Sequence, residues 1–162
     1  MSWTVIDSPI GELRLVARDG ALTQIEFTPF READGRPKGD QVDDDPVLVE
    51  AARQLRDYFA GDLKDFDLPL APVGSPWQQS VWDQLTRIGY GETASYGQIA
   101  ARLGKSNAAS RAVGLANGAN PIPIVIPCHR VIGADGTLTG YAGGLDRKQT
   151  LLSLEQQDSA LF

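Results

Sequence analysis

Short apolar runs alternate with turn residues over the first part of the chain. The runs cover residues 3–6, 13–17 and 21–27, and Pro9-Ile10-Gly11 and Asp19-Gly20 separate them. An Asp-Gly pair between two apolar runs is typical of a tight β-hairpin. The pattern therefore predicts a three-stranded antiparallel meander.

A polar stretch and then a helical pattern follow these runs. Residues 28–45 are rich in proline, glycine and acidic side chains, which predicts a mobile loop. Asp45-Pro46 is typical of an N-cap followed by proline at the first helical position. Apolar residues then recur at helical spacing as far as Gly61. Residues 68–74 contain two prolines and predict an extended linker.

The second half of the chain has mostly helical patterns. Ser75-Pro76 predicts the start of one helix. Ser95 could cap a short second helix, and Ser106 or Asn107 could cap a third. Two short helices joined by a tight, glycine-containing turn outline a helix-turn-helix, although many helical domains share that outline. The predicted helices cover residues 76–88, 96–103, 108–119 and 145–155, with strand and turn predicted over 122–131.

The acidic residues are concentrated in the first half of the chain. The whole chain carries a net charge of −6. Residues 1–74 contain 8 Lys or Arg and 15 Asp or Glu, which gives −7. Residues 75–156 contain 7 Lys or Arg and 5 Asp or Glu, which gives +2, and Asp158 brings the total back to −6. The weakly basic second half could contact phosphates locally, with only modest long-range steering toward nucleic acid.

Composition excludes several classes of protein. No apolar run approaches the roughly 20 residues needed to span a bilayer, and the N-terminus lacks the pattern of a signal peptide. We therefore expect a cytoplasmic protein that does not bind membranes. One cysteine cannot form an intrachain disulfide, and one cysteine with one histidine does not supply a structural zinc site. We expect neither a metal nor another cofactor.

The only thiol and the only imidazole of the chain are adjacent, in Pro127-Cys128-His129-Arg130. A thiol near its ordinary pKa is mostly protonated at neutral pH, so a nucleophilic role requires a nearby base or positive charge. His129 and Arg130 are the local candidates. Adjacency does not ensure contact, because neighbouring side chains of an extended strand point to opposite sides. The residues alone leave a second interpretation open, namely an inert buried cysteine beside a surface histidine.

Four stretches in a fixed order surround or contain this motif. They are Ser95-Tyr96-Gly97-Gln98-Ile99-Ala100, Ser110-Arg111-Ala112-Val113-Gly114, the run from Asn120-Pro121 through Pro127-Cys128-His129-Arg130-Val131-Ile132, and Gly140-Tyr141-Ala142-Gly143-Gly144. Together they closely resemble the O6-alkylguanine-DNA alkyltransferase family, also called the methylated-DNA–protein-cysteine methyltransferases. The resemblance is strong over residues 76–156 and extends to residues 1–74 only in general layout.

The resemblance implies a fold and an activity. The fold is α+β, with a ribonuclease-H-like α/β domain over residues 1–74 and a winged helix-turn-helix-like, mostly helical domain over residues 75–162. The activity is transfer of the alkyl group of O6-alkylguanine, and of O4-alkylthymine, in double-stranded DNA to Cys128 after base flipping. The transfer would be irreversible and stoichiometric. It would be carried out by a monomer that needs no cofactor and no obligate protein partner.

The resemblance also implies catalytic roles at matching positions. Cys128 matches the alkyl acceptor, His129 the base that draws the thiol proton through a water, and Glu155 the carboxylate that orients the histidine. We expect the histidine and the carboxylate to lower the thiol pKa. Asn120 matches the hinge between the recognition helix and the active-site segment. Tyr96 matches the tyrosine that turns the target phosphate and donates a hydrogen bond toward the base.

A second group of matching positions implies contacts with damaged DNA. Arg111 would occupy the gap left by the flipped nucleotide, and the small residues Ala112 and Gly114 would let the helix approach the DNA backbone closely. Ala142 stands where some family members carry a serine, so its backbone N–H would remain as the donor to the base. The full set of expected substrate and DNA contacts is Tyr96, Arg111, Ala112, Gly114, Arg130, Tyr141, Ala142 and Gly143.

Each of these residues has an ordinary interpretation when it is taken alone. Glu155 could be a solvated carboxylate at a helix end, Arg111 a surface side chain and Asn120 the start of a turn. Two other function classes also remain: a DNA-binding regulator or damage sensor, and a Cys–His hydrolase. The combination of Cys128, His129 and Glu155 disfavours the regulator, and the match to the alkyltransferase motif disfavours the hydrolase.

Overall fold

The chain divides into two compact units. The computed structural model describes residues 1–30 and 39–160, and the units are Met1–Val73 and Gly74–Phe162. The boundary predicted after residue 74 lies one residue from this division. No helix within the described ranges is long and apolar enough to cross a membrane.

The predicted meander is confirmed in the first unit. Strand β1 (Ser2–Ile6) pairs antiparallel with β2 (Leu13–Arg18), which pairs antiparallel with β3 (Ala21–Phe27). The turn between β2 and β3 uses Asp19 and Gly20, whose φ angles of 52° and 78° suit glycine and are tolerated by aspartate. All of β2 except its last residue is buried, so this central strand forms much of the core.

The sequence pattern does not predict a fourth strand. β4 (Asp40–Gln41) pairs parallel with β1, and the sheet order is β3-β2-β1-β4. This strand corrects the loop predicted over residues 28–45. Two exposed polar residues carry no strand pattern of their own, and only their pairing with a distant part of the chain defines them. Residues 31–38 of the predicted loop lie outside the described residues.

Helix α1 (Pro46–Phe59) packs against this sheet through a buried stripe. Asp45 caps the helix as predicted, because its side chain accepts a hydrogen bond from Val47 N–H at 3.1 Å. The buried side chains are Val47, Leu48, Ala51, Ala52, Gln54, Leu55 and Tyr58.

The segment predicted as an extended linker is partly paired with the sheet. Leu22 N–H in β3 donates to Pro69 O, and Ala71 N–H donates to Leu22 O, both at 2.9 Å. These bonds tie the last residues of the first unit to an edge strand.

Capping boxes start two helices of the second unit. Helix α2 (Pro76–Leu85) begins after Ser75, and α3 (Tyr96–Arg102) begins after Ser95. In each, the serine side chain accepts from the N–H three residues on, and the glutamine there bonds back to the serine N–H. Local sequence therefore specifies both starts, as predicted.

Helix α4 (Ser110–Gly118) differs from its prediction at its start. A 3₁₀ turn at Asn107–Ala109 precedes it, and no side chain caps either element. The helices α3 and α4 pack against each other across a tight turn, as the helix-turn-helix outline predicts. Trp82 in α2 donates from Nε1 to Ala116 O at 2.8 Å, and this buried bond holds α4 against α2.

In the rest of the second unit, the predicted cysteine–histidine–arginine motif lies between a short two-stranded sheet and the last helix. Strands β5 (Ala94–Ser95) and β6 (Val131–Ile132) pair in parallel. Helix α5 (Leu145–Ala160) extends beyond its predicted end at Glu155. The strand and turn predicted over residues 122–131 are a series of tight turns that leads into β6.

Candidate active site around Cys128

Asn120 organises the segment that leads to the cysteine. Its Nδ2 donates to Ile126 O at 2.8 Å, and its Oδ1 accepts from Ile122 N–H at 3.0 Å. Between these points Ile124 has a φ of 74°, which is a strained value for a buried β-branched residue. The buried amide of Asn120 therefore does more than begin a turn: it holds a strained segment in one conformation ahead of Cys128.

Cys128 is buried, with 3% of its surface exposed, at the start of a short 3₁₀ turn. Asn117 in α4 donates from Nδ2 to the cysteine carbonyl at 3.3 Å. Burial raises the pKa of the thiol to about 11, although hydrogen bonds from Asn120 and Tyr141 and the charge of Lys148 oppose the rise. The expected lowering of the thiol pKa is therefore wrong, because desolvation of the thiolate outweighs the neighbouring groups.

His129 and Glu155 form a fully buried pair. His129 Nε2 lies 2.7 Å from Glu155 Oε2. Burial lowers the pKa of His129 despite the adjacent carboxylate, which favours a neutral imidazole. Beside an ionised carboxylate the ring hydrogen belongs on Nε2, which leaves Nδ1 as an acceptor. Nδ1 is buried without a hydrogen-bond partner among the described residues, so it is the ring atom that can receive a proton.

Arg130 binds the same carboxylate and belongs to this buried group. Its Nε and Nη2 lie 2.8 and 3.1 Å from the two oxygens of Glu155, and its Nη1 donates to Ile88 O at 2.6 Å. Burial raises the pKa of Glu155, but its bonds to His129 and Arg130 outweigh that effect and hold the pKa at about 2. We therefore reassign Arg130 from the expected DNA contact, because the residue is 6% exposed and its guanidinium bonds to buried groups.

Lys148 is a member of the site that the sequence pattern does not reveal. It is fully buried, and its Nζ donates to Val131 O at 2.6 Å and to Thr139 O at 2.8 Å. Burial lowers the pKa of this ammonium group. One signal was present, since Lys148 and Glu155 stand at helical spacing from the buried Leu151 and therefore share the inner face of α5.

Tyr96 begins α3 and is held at both ends of its side chain. Its hydroxyl oxygen lies 2.6 Å from Thr139 Oγ1. A side chain at Gly114 in α4 would come within 3.6 Å of Cε1 of the tyrosine, so the ring lies directly against that helix. An added Cβ at Gly114 would make only ordinary van der Waals contact with this ring, so the fold itself does not require glycine there.

The other expected contacts lie in two places. Tyr141, Ala142 and Gly143 are in the loop before α5, where Tyr141 is half-buried and close enough to the thiol to lower its pKa. Arg111 and Ala112 lie on the exposed face of α4. The structure thus brings Tyr141 to the thiol and leaves the two α4 residues where a binding partner can reach them.

The buried group is suited to moving a proton. The thiol is protonated at neutral pH and interacts with the buried ammonium group of Lys148. The next residue in the chain is a neutral imidazole, which is bonded to a carboxylate held ionised. Removing the thiol proton would give the ammonium group a counter-charge, and the carboxylate would stabilise a protonated imidazole. Within the described ranges, no set of three or more His, Cys, Asp and Glu side chains is arranged to hold a metal ion.

Comparisons with known proteins show the family to which the chain belongs. The family described as 6-O-methylguanine DNA methyltransferase, DNA binding domain, matches residues 76–157, and its ribonuclease-like domain matches residues 1–72. The chain is 50% identical over 155 residues to the methylated-DNA–protein-cysteine methyltransferase of Methanosarcina acetivorans, which covers 96% of this chain and 98% of that protein.

Two solved structures of Mycobacterium tuberculosis proteins share the fold. The O6-methylguanine methyltransferase is 47% identical with a TM-score of 0.88, covering 97% of this chain and 93% of the other. OGT in complex with DNA is 46% identical with a TM-score of 0.86, covering 98% of this chain and 94% of the other.

The fold and the site define an α+β protein whose helix-turn-helix unit carries a buried cysteine beside a histidine–carboxylate pair. The expected order, a ribonuclease-like domain followed by a DNA-binding domain, is confirmed. The chain belongs to the methylated-DNA–protein-cysteine methyltransferase family.

Proposed function

We propose that this protein repairs alkylated DNA by transferring the alkyl group of O6-alkylguanine, or of O4-alkylthymine, to Cys128. The observation that carries the proposal is the buried His129–Glu155 pair beside the only thiol of a chain in this family. A related M. tuberculosis protein was solved in complex with DNA, which supports double-stranded DNA as the substrate.

The proposed reaction is a single displacement at the alkyl carbon. The sulfur of Cys128 forms a bond to that carbon while the bond from the carbon to guanine O6 breaks. The thiol proton passes through a water to His129 Nδ1, the acceptor that the buried ring leaves open. The electron pair of the broken bond remains on guanine, whose uptake of one proton balances the proton lost by the thiol. The products are a thioether and unmodified guanine.

The buried charges determine when the thiol becomes reactive. With its pKa raised to about 11, the thiol keeps its proton at neutral pH, so proton transfer accompanies the attack. Glu155 stabilises the positive charge that then develops on His129, and Arg130 keeps that carboxylate ionised and oriented. Lys148 supplies a buried positive charge that favours the thiolate.

The substrate must leave the duplex to reach this thiol. A stacked base cannot contact a buried sulfur, and flipping a nucleotide costs a few kcal/mol. Arg111, on the exposed face of α4, would occupy the vacated gap. In this arrangement Tyr96 donates a hydrogen bond to the flipped base and Tyr141 stacks near it. The backbone N–H of Ala142, with the adjacent Gly143, would take over the donor role of a serine.

The protein would act once per molecule, as a monomer. The chain has no second cysteine to accept the alkyl group, and a thioether is not reversed by proton transfer. We also propose a cytoplasmic location, since a single cysteine that must remain a free thiol suits a reducing compartment.

Intact-mass measurement tests this proposal. Mixed with excess duplex that carries O6-methylguanine, the protein should gain the mass of one methylene group, on Cys128, and should then stop. Cys128→Ser should bind the same duplex and gain no mass, and undamaged duplex should leave the wild type unchanged. Binding without a mass gain would indicate a regulator, and repeated turnover a hydrolase, and either result would refute the proposal.

A further inference from the structure

Tyr96 and Thr139 pair their hydroxyl groups beside the proposed pocket. The two oxygens lie 2.6 Å apart, within the normal range for an O–H···O bond. Among the residues that the structure describes, neither hydroxyl has another hydrogen-bond partner. Two hydroxyls carry two hydrogens, and only one can lie between the oxygens. The pair therefore presents one further hydrogen that is available to a ligand.

Both members of the pair are anchored in the second unit. Thr139 O accepts from Lys148 Nζ, whose second bond is to Val131 O in β6. The ring of Tyr96 lies against α4 at Gly114. The hydroxyl pair thus joins a loop held by the buried ammonium group to a ring that lies close to α4. A contact between two fixed groups loses little side-chain entropy when a ligand binds.

We propose that Thr139 is a positioning residue that donates its hydroxyl hydrogen to Tyr96 and so directs the Tyr96 hydrogen toward the flipped base. The inference rests on the proposed function, in which Tyr96 donates to that base. A phenol has one hydrogen, so Tyr96 cannot donate to the base and to Thr139 at once. With the base bound, Thr139 must supply the hydrogen between them. A hydroxyl that accepts one hydrogen bond is also a stronger donor of the next.

A small set of variants separates this role from packing. Thr139→Val keeps the shape of the side chain and removes the hydroxyl, whereas Thr139→Ser keeps the hydroxyl. Thr137→Val is the matched control, because Thr137 is exposed in the same loop and its hydroxyl donates to Asp135 at 2.7 Å. Tyr96→Phe, alone and combined with Thr139→Val, completes a double-mutant cycle.

Single-turnover methyl transfer, followed by intact mass, is the readout. At saturating O6-methylguanine duplex, Thr139→Val should be slowed roughly three- to tenfold, the rate equivalent of one neutral hydrogen bond. The duplex concentration that gives half of the maximal rate should not change, because Thr139 contacts the tyrosine and not the DNA. The free O6-methylguanine base should show the same slowing. Thr139→Ser and Thr137→Val should transfer at the wild-type rate.

The double variant gives the most specific result. Because both substitutions remove the same bond, adding Thr139→Val to Tyr96→Phe should slow transfer no further. A wild-type rate in Thr139→Val, no rescue in Thr139→Ser, or effects that multiply in the double variant would each overturn the inference. If Thr139→Val lowers the melting temperature markedly, Thr139→Ala replaces it in the same cycle. Failure of the wild type itself to take up a methyl group would instead refute the proposed function.

Discussion

Each unit of the chain buries charged side chains, but the two units arrange them differently. In the first unit Arg14 is 2% exposed, and its Nε and Nη2 both bond to Glu26, at 3.0 and 2.5 Å. The guanidinium also lies over the rings of Trp3 and Phe30, 5.5 and 4.9 Å from their centroids. This arginine therefore has its charge paired with a carboxylate, and its guanidinium lies over two aromatic rings.

In the second unit some buried groups have hydrogen-bonding or charge-pairing capacity that the described residues do not use. His129 Nδ1 is buried without a partner among the described residues, and Lys148 Nζ bonds to two carbonyl oxygens rather than to a carboxylate. Leaving such groups incompletely satisfied costs stability. The comparison teaches that a buried arginine paired with a carboxylate supports a fold, whereas a buried ammonium group without a carboxylate partner and an open imidazole nitrogen are available to act on a third group, for which we propose Cys128.

Neutralising one carboxylate in each unit is the strongest test of this contrast. Glu155→Gln should slow methyl transfer roughly 100-fold or more, because the protonated form of His129 loses its stabilising charge. It should also lower the free energy of unfolding by about 3 to 5 kcal/mol, since Arg130 is left buried without a counter-charge. Single-turnover rates and urea unfolding measure the two effects. A wild-type transfer rate in Glu155→Gln would refute the orienting role.

Glu26→Gln is the matched control in the first unit. It should lower the free energy of unfolding by a smaller amount, because Glu26 is 17% exposed and water can solvate what is left of the pair. Its transfer rate should equal that of the wild type, and neither variant should change the affinity for undamaged duplex. Equal slowing by both substitutions would remove the contrast between the units.

We expect a plateau from about pH 6.5 to 9, over which the free energy of unfolding is nearly constant. Outside this range, buried groups of the second unit should determine how it changes with pH. Above the ordinary thiol pKa of 9.0 the unfolded chain releases the Cys128 proton, while the folded protein holds it to about pH 11. Stability is thus lost as the pH rises through this window, by about 2 to 3 kcal/mol. Cys128→Ala should abolish that loss in urea unfolding, and an unchanged alkaline loss would contradict the raised thiol pKa.

The acid side of the plateau has the opposite sign and different groups. Burial lowers the pKa of His129, so below about pH 6.5 the unfolded chain binds the proton first and stability falls as the pH falls. Glu155 adds a further loss between its ordinary pKa of 4.5 and its folded value of about 2. Glu155→Gln should remove the second loss.

Substitution of Arg111 tests whether the exposed face of α4 serves DNA rather than the buried chemistry. Arg111→Ala should slow repair of duplex roughly tenfold, because the cost of flipping is no longer offset. Reaction with the free O6-methylguanine base should change little, since that substrate is not flipped. Arg111→Lys keeps the charge without the planar guanidinium, so it should restore DNA binding more than duplex repair. Equal slowing on both substrates would mean that Arg111 supports the fold or the pocket.

The smallest expected effect is the salt dependence of DNA binding. Residues 75–156 contain 7 basic side chains, and two of these, Arg130 and Lys148, are buried, which leaves five for phosphates. The slope of log affinity against log salt should therefore be no steeper than about 4.5 in magnitude. Binding should depend little on sequence, because the flipped base carries the recognition. A salt-independent affinity for undamaged duplex would contradict docking on the DNA backbone.

The predictable parts of the fold are those with local causes. Asp45, Ser75 and Ser95 start their helices through bonds within one turn, and Asp19-Gly20 closes a hairpin, so short stretches of sequence suffice. β4 could not be predicted, because its two polar residues become a strand only by pairing with β1. The start of α4 differs from its prediction for a similar reason, since no side chain caps this helix and it packs on α3 and α2.

The sequence by itself determined the chemistry that is available: one thiol, one imidazole beside it, and a motif that points to Glu155 as the third member. Tertiary structure decided how these groups behave. It turned Arg130 inward to the carboxylate, placed Lys148 in the same interior and raised the thiol pKa where a lower value was expected. The physical reason is that desolvation and charge–charge interactions depend on distances between residues far apart in the chain, and no local pattern encodes those distances.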